Sequence, residues 1–373
     1  MEKANKTLQK ECIRPLLKWY RVHARDLPWR RTTDSYAIWV SEIMLQQTQV
    51  ATVIPYWERW MDQLPTISSA ANATIDQILK LWEGLGYYRR VRLLQKAAIA
   101  IVDQHHGIFP TDDDSILALP GIGPYTAGAI ASIAFDKPSP ILDGNVIRVL
   151  TRYYGIAQNT KSSECLSKLW HLSKKWVQQA DQLRPRAHHN CSHLNQAMME
   201  LGAQICLPGQ LAKCGKCPLQ QACNAYRNGT VIDLPNLPKR RAMVPQHRLV
   251  VVLCYQGNFL VQRRQATDFN EGLWEFFNEE IIKPLGRSVT NKAAKKMMQT
   301  HGIPCSNLES LGVIKHTITH HRITLHCFTG VTQSEKTPTN EGFKWLSKSE
   351  IKEAPMPSAH HKIRLKLLQL GRS

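Results

Sequence analysis

The sequence predicts a multidomain chain: a mostly α-helical region to about residue 227, then a separate α+β domain over residues 248–373. Three observations predict it. Apolar residues recur at helical spacing from residue 7 to about 225. The stretch "IDLPNLPKRRAMVPQHR" then breaks that period with proline and charge, so residues 228–247 read as a linker. Beyond it, β-branched and aromatic residues alternate as strands do.

The elements follow in order. "MEKANKTLQKECIRPLLKWY" reads as an amphipathic helix and has no signal-peptide core. "YAIWVSEIMLQQTQVATVIPYWERWM" and "TIDQILKLWEGLGYY" keep helical period, as does "VRLLQKAAIAIVDQHHG", where Gly107 suits a C-cap. The aspartates of "TDDDSILALP" suit the start of a helix. "SHLNQAMMELGAQIC" is a further helix leading into cysteines. In the last third, "LVVVLCYQGNFLVQRR" reads as two strands around a turn, "KAAKKMMQTHG" as a short helix and "HHRITLHCFTGVT" as a strand.

Composition narrows the partners. The 373 residues carry 48 Lys plus Arg against 29 Asp plus Glu, a formal net charge of +19. That excess favours a polyanion, with nucleic acid ahead of an anionic membrane surface. No apolar run reaches the roughly 18–20 residues that a membrane helix needs. Ten cysteines without a secretory signal argue for thiols or metal ligands rather than disulfides. Four of them, Cys206, Cys214, Cys217 and Cys223, are separated by gaps that hold seven, two and five residues. Four thiolates so close can encircle an iron–sulfur cluster or a zinc ion. Zinc usually takes two matched CxxC pairs and only one is present, so a [4Fe–4S] cluster is favoured.

Three further stretches carry chemistry. "LPGIGPYTAGAI" turns sharply, and Gly121 and Gly123 let backbone N–H groups approach a ligand. The helix that follows offers free N–H groups and a positive dipole end, which can bind phosphate without side-chain charge. An ordinary tight helix–helix turn would look the same. "ILDGNVIRVL" sets Asp143 among apolar residues, where it could cap the helix that follows or do chemistry. "WVSEIMLQQTQV" sets Glu42 on an apolar helix, either on a solvated face or buried with a raised pKa. Two such carboxylates, one protonated and one ionised, suit cleavage of a glycosidic bond through an oxocarbenium-like state.

The ordered series "RDLPWR", "SEIMLQQTQV", "GLGYYRR", "LPGIGPYTAGAI", "LDGNVIRV" and four cysteines resembles the MutY-type adenine DNA glycosylases of the helix–hairpin–helix superfamily, which includes endonuclease III. The resemblance runs from about residue 10 to 225 and returns near the C-terminus. It implies a six-helix module over about 28–136 and an iron–sulfur module from about 1–27 and 137–227. It implies a partner, double-stranded DNA with adenine opposite 8-oxoguanine or guanine, from which adenine is flipped out and excised. By matching position Glu42 is the acid, Asp143 stabilises the sugar cation, and Tyr125 and Asn145 support them. Leu27, Trp29, Arg30 and Gln196 match the adenine pocket, and Gln47 and Tyr88 match residues that wedge into the duplex. Gly121 and Gly123 would meet DNA phosphate, and main-chain carbonyls of the hairpin could hold a cation. Bifunctional relatives carry a lysine where Tyr125 stands, so a monofunctional glycosylase is implied.

"GLWEFF" resembles the Nudix-like domain of that family, while "AAKKMMQTHG" has lysines where the metal-binding carboxylates of Nudix hydrolases would be. This domain should recognise rather than hydrolyse. Ile318, Thr319 and His320 match its lesion-reading loop, with the usual aromatic replaced by an aliphatic side chain. The first cysteine gap is one residue longer than the family's usual one. His316, His320 and His321 read as exposed strand positions rather than a metal site. The expected protein is a monomer without membrane attachment, in bacterial cytoplasm at the nucleoid. Two rivals are a bifunctional enzyme acting on oxidised pyrimidines, disfavoured by Tyr125, and a non-catalytic lesion sensor, disfavoured by Glu42 and Asp143.

Overall fold

The computed structural model describes residues 7, 9–184, 189–238, 242–265, 270–281, 287–337 and 342–369. Parts of the expected N-terminal helix (1–6 and 8), of the linker (239–241) and of the C-terminal domain's end (370–373) lie outside the described residues. Contacts group the chain into two compact units, Met1–Asn72 with Leu93–Lys239 and Ala73–Arg92 with Arg240–Ser373.

In chain order the helices are α1 Arg14–His23, α2 Ser35–Leu45, α3 Val50–Gln63, α4 Ile67–Asn72, α5 Ile75–Leu81 and α6 Arg89–His105. Next come α7 Asp113–Ala118, α8 Pro124–Phe135, α9 Gly144–Tyr154, α10 Ser163–Asp181, α11 Asn190–Gln204 and α12 Asn224–Arg227. The run read as one helical stretch from Tyr36 breaks between α2 and α3, where Gln47 takes a left-handed φ of 58°. Asp34 caps α2 by accepting from the amides of Tyr36 and Ala37. Every residue from Tyr36 to Met44 is buried, so α2 has no solvated face.

The hairpin between α7 and α8 is a close approach of backbones. Asp112 caps α7 through the amide of Ser115 at 2.8 Å. Gly121 sits at φ +77°, and a Cβ there would lie 2.6 Å from Leu93 Cβ. Pro124 opens α8, where its missing N–H costs nothing. The small residues of α8 let another strand of chain press on it: a Cβ on Gly128 would lie 1.9 Å from Pro140 O. A core of α1, α9, α10 and α11 side chains, including Leu16, Leu150, Trp176 and Leu194, fixes the base of this unit.

The second unit holds β1 Val244–Tyr255, β2 Asn258–Arg263, β3 Trp274–Ile281, α13 Arg287–Thr300, β4 Ser306–Ile318, β5 His321–Val331, β6 Phe343–Leu346, α14 Lys348–Glu353 and α15 Ser358–Gln369. The six strands form one mixed sheet in the order β4-β5-β1-β3-β2-β6, with β1 and β5 parallel. Gln256 and Gly257, both at positive φ, close the β1–β2 hairpin as a two-residue primed turn does. One sheet face packs Val250, Phe276 and Leu325 against Ile363 and Leu367 of α15. The other packs Leu249, Val251 and Phe328 against Met297 and Met298 of α13. Contrary to the exposed strand positions expected for them, the Nδ1 atoms of His316 and His321 are buried, with no partner among the described residues. Both alternate in phase with Ile314 and Ile323 on the α15-facing side, which explains the burial.

Candidate active site

A cavity of about 780 Å³ opens in the first unit, within the range of a small-molecule site. Leu27, Trp29, Arg30, Glu42, Gln47, Gly123, Tyr125, Asp143, Asn145 and Gln196 all line it, ten of the residues singled out from sequence. Burial in α2 leaves Glu42 4 % exposed. The Tyr125 hydroxyl donates to its Oε2 at 2.7 Å. Burial pushes the Glu42 carboxyl up to about 7, against a smaller downward pull from the Tyr125 hydrogen bond. The Tyr125 phenol is itself held well above its ordinary value, first by burial and then by the charge of Glu42. It remains a hydrogen-bond donor at any ordinary pH.

Asp143 is the cap of α9: its Oδ1 accepts from Val146 N at 2.7 Å, and Asn145 Nδ2 donates to Oδ2 at 2.9 Å. Asp143 thus caps the helix and at the same time lines the cavity. Burial raises its pKa, and the helix amide and Asn145 act in the opposite direction. Asn145 is fixed in turn by Arg148, whose Nη2 donates to Asn145 Oδ1 at 2.8 Å and to Gly202 O at 2.7 Å. The same guanidinium donates through Nε to Cys206 O at 2.6 Å.

A third carboxylate in the cavity wall escaped the sequence reading. Glu200 is buried on α11 and accepts from Arg25 Nε at 2.7 Å, Arg25 Nη2 at 2.8 Å and Arg30 Nη2 at 2.8 Å. Burial alone would raise Glu200, but hydrogen bonds from Arg25 and Arg30 outweigh it and bring the carboxyl down to about 2. Glu200 thus stays ionised beside a neutral-poised Glu42. Tyr20, likewise missed, donates to Gln196 Oε1 at 2.9 Å and stacks under Arg30 at 5.5 Å. The signal was present: Gln196 and Glu200 stand one turn apart on one face of the helix, among small and apolar residues such as Ala197, Met199 and Leu201.

Not every expected residue joins this cavity. Gly121 lies in the hairpin and outside the lining, while Gly123 is the N-cap of α8 at the cavity edge. Tyr88 belongs to the second unit, is 3 % exposed, and spends its hydroxyl on Gly84 N at 3.2 Å and Met356 O at 3.3 Å. Its neighbour Tyr87 is the exposed ring, on a left-handed residue at φ 50°. Thr319 and His320 form the two-residue turn between β4 and β5, with Ile318 paired to His321. Thr319 is exposed at φ 53°, and its hydroxyl donates to Ile318 O at 2.7 Å.

Cys206, Cys214, Cys217 and Cys223 line one small apolar pocket. Burial pushes Cys217 up to about 12, and the neighbouring thiols push the same way. Four thiolates can share this pocket only with compensating positive charge. Arg152 supplies some, its Nη1 lying 3.3 Å from Cys206 Sγ. Among the described residues, no three His, Cys, Asp or Glu side chains are placed to hold a single metal ion. Four cysteine sulfurs lining one pocket beside a guanidinium are a donor set that suits a thiolate-bound metal centre.

Comparison with known proteins agrees with this geometry. Residues 40–175 match the HhH-GPD superfamily base excision DNA repair protein family, and residues 248–366 match the NUDIX domain. The chain is 34% identical to rat adenine DNA glycosylase over 406 residues, covering 94% of this chain and 76% of that one. The human enzyme of the same name is 32% identical, with 93% and 72% covered. The chain belongs to the adenine DNA glycosylase family. An adenine DNA glycosylase of Buchnera aphidicola (strain Sg) is 38% identical over 264 residues, covering 70% of this chain and 73% of its own. Among solved structures, a thermostable thymine-DNA glycosylase superposes with a TM-score of 0.53 at 27% identity, over 60% of this chain and 99% of that one. The protein is thus a base-excision DNA repair glycosylase with a helical core and a Nudix-like C-terminal domain, and DNA is its partner. No helix among the described residues is long and apolar enough to cross a membrane.

Proposed function

We propose that this adenine DNA glycosylase excises adenine opposite 8-oxoguanine or guanine by hydrolysis and leaves the strand intact. The observation that carries the proposal is the Glu42 carboxyl, poised at about 7 and bonded to Tyr125 in a cavity that also holds Asp143. The extruded adenine enters beside Leu27, Trp29, Arg30 and Gln196, with Glu200 fixing the Arg30 guanidinium. Protonated Glu42 gives its proton to the adenine ring, so the base leaves neutral with the bonding electrons. Ionised Asp143 stabilises the positive charge left on the sugar. Glu42, now a carboxylate, takes a proton from the attacking water.

A phenol cannot form a Schiff base, so Tyr125 supports monofunctional chemistry. Gly121 and Gly123 position a phosphate through main-chain N–H groups. Gln47 and a tyrosine enter the duplex, and the burial of Tyr88 favours Tyr87 for that part. Thr319 and His320 meet the base opposite adenine. Cys206, Cys214, Cys217 and Cys223 hold a [4Fe–4S] cluster, which ties the loop between α11 and α12 together when bound. The protein acts as a monomer in the cytoplasm, with residues 1–227 catalytic, 228–247 linking and 248–373 recognising the lesion. Single-turnover excision on A:8-oxoguanine, A:G, A:C and thymine-glycol duplexes tests the reading. The first two should react fastest, and preferential loss of thymine glycol would overturn it.

A further inference from the structure

The β4–β5 hairpin and the start of β1 have two unlike faces near the Thr319–His320 turn. Ile314, Ile318 and Ile323 point into the core under α15. On the opposite side the same strands present Lys315 and Thr317 of β4, Arg322, Thr324 and His326 of β5, and His247 of β1. Register places them together: Thr317 pairs with Arg322, Lys315 with Thr324, and Thr324 with His247. Lys315, Thr317 and Arg322 are exposed and the other three half-buried. All six side chains can donate a hydrogen bond, and none is an acid. Neither Lys315 nor Arg322 has an ion-pair partner among the described residues. Glu279, paired with Leu249 on the same face, is already taken by His301 Nε2 at 2.5 Å. The adjoining helix α13 adds exposed Lys292, Lys295 and Lys296 and contains no acid.

Two of these groups are imidazoles in contact with each other. His247 Nδ1 lies 3.5 Å from His326 Nε2 with the rings stacked. Burial, then the neighbouring His247, hold His326 below its ordinary pKa. A negative group laid on the strip would offset the unpaired charges of Lys315 and Arg322 and could accept hydrogen bonds from the imidazole N–H groups.

We propose that this strip binds the sugar–phosphate backbone of the DNA strand whose base the Thr319–His320 turn meets. Alternate residues of a strand stand about 7 Å apart on one face, so donors repeat along it as phosphates repeat along DNA. Such contacts fix register without reading sequence. An extended polyanion matches a strip with no acid, and the enzyme's own substrate is one. The choice of strand rests on the recognition reading of Thr319 and His320; the backbone contact rests on charge alone.

The test is equilibrium binding of the full chain to a duplex carrying a non-hydrolysable 2′-fluoro adenosine opposite 8-oxoguanine, over a range of KCl concentrations. Each phosphate contact contributes about 0.9 to the salt slope, so Lys315→Ala with Arg322→Ala should flatten it by about 1.8. Affinity should fall on the order of 60-fold at 0.1 M salt. The charge-keeping pair Lys315→Arg with Arg322→Lys should restore the slope, which a folding defect would not allow. An unchanged slope in the alanine pair overturns the proposal and leaves the strip to an acidic protein partner. Thr319→Ala with His320→Ala should instead narrow the excision ratio of A:8-oxoguanine to A:G at unchanged slope. A ratio that does not move, with a slope that still flattens in the other pair, removes the recognition reading and keeps the backbone strip.

Discussion

Glu42→Gln should destroy excision while making the fold more stable at alkaline pH. The folded carboxyl titrates at about 7 against an ordinary value of 4.5. Below pH 4.5 both folded and unfolded chains hold the proton, so Glu42 carries no penalty. Between 4.5 and about 7 only the folded chain holds it, and stability falls as pH rises. Above that the full cost applies, about 3 kcal/mol for a displacement of this size. Glutamine is neutral throughout and keeps an acceptor for the Tyr125 hydroxyl. The variant should therefore match the parent near pH 4 and exceed it by up to about 3 kcal/mol near pH 8. Excision should drop by roughly 10²–10⁴-fold, the usual worth of acid–base help. Denaturant melts at the two pH values and single-turnover excision check both halves. Excision within tenfold of the parent, or a stability gap that does not widen with pH, would refute the buried-acid account.

Other substitutions probe the rest of the site. Tyr125→Lys should slow excision, because Glu42 loses its hydroxyl, and should yield some borohydride-trapped protein–DNA adduct if burial leaves part of the amine neutral. Glu200→Ala strands two guanidinium groups and should cost about 2–4 kcal/mol of stability, read by urea melts, with a raised KM for excision. The Glu200 contribution should fade only as pH drops from 4.5 toward 2, since its carboxyl is held down. The purified protein should be yellow-brown, and Cys217→Ser should lose the colour and the iron on metal analysis; stoichiometric zinc in a colourless, active protein would remove the cluster.

The residues that face the cavity were largely legible because each broke a local pattern. Glu42 interrupts an apolar helix, Asp143 interrupts an apolar run, and Gly123 closes the turn ahead of a small-residue helix. What stayed hidden depends on contacts between distant residues. Glu200 reads as one more helical glutamate until the fold brings Arg25 and Arg30 to it. Tyr88 and Tyr87 are neighbours of one residue type, and only the bonds to Gly84 and Met356 tell the buried ring from the exposed one. Residues 73–92 look like part of the helical run, yet Glu83 accepts from Met356 N and Arg364 Nη2, both at 2.9 Å. β4 carries polar residues at most positions and no strong strand signal. Its pairing with β5 across the tight Thr319–His320 turn supplies what its composition lacks.

The central claim is hydrolytic removal of adenine by a buried acid that has no amine beside it. The most direct measurement is the product of one turnover on an A:8-oxoguanine duplex, with the reaction split between alkali and neutral workup. The account predicts free adenine and a strand that breaks only after alkali, at a rate that falls tenfold per pH unit above about 7 as Glu42 loses its proton. Strand cleavage without alkali, or a rate indifferent to pH across that range, would contradict it.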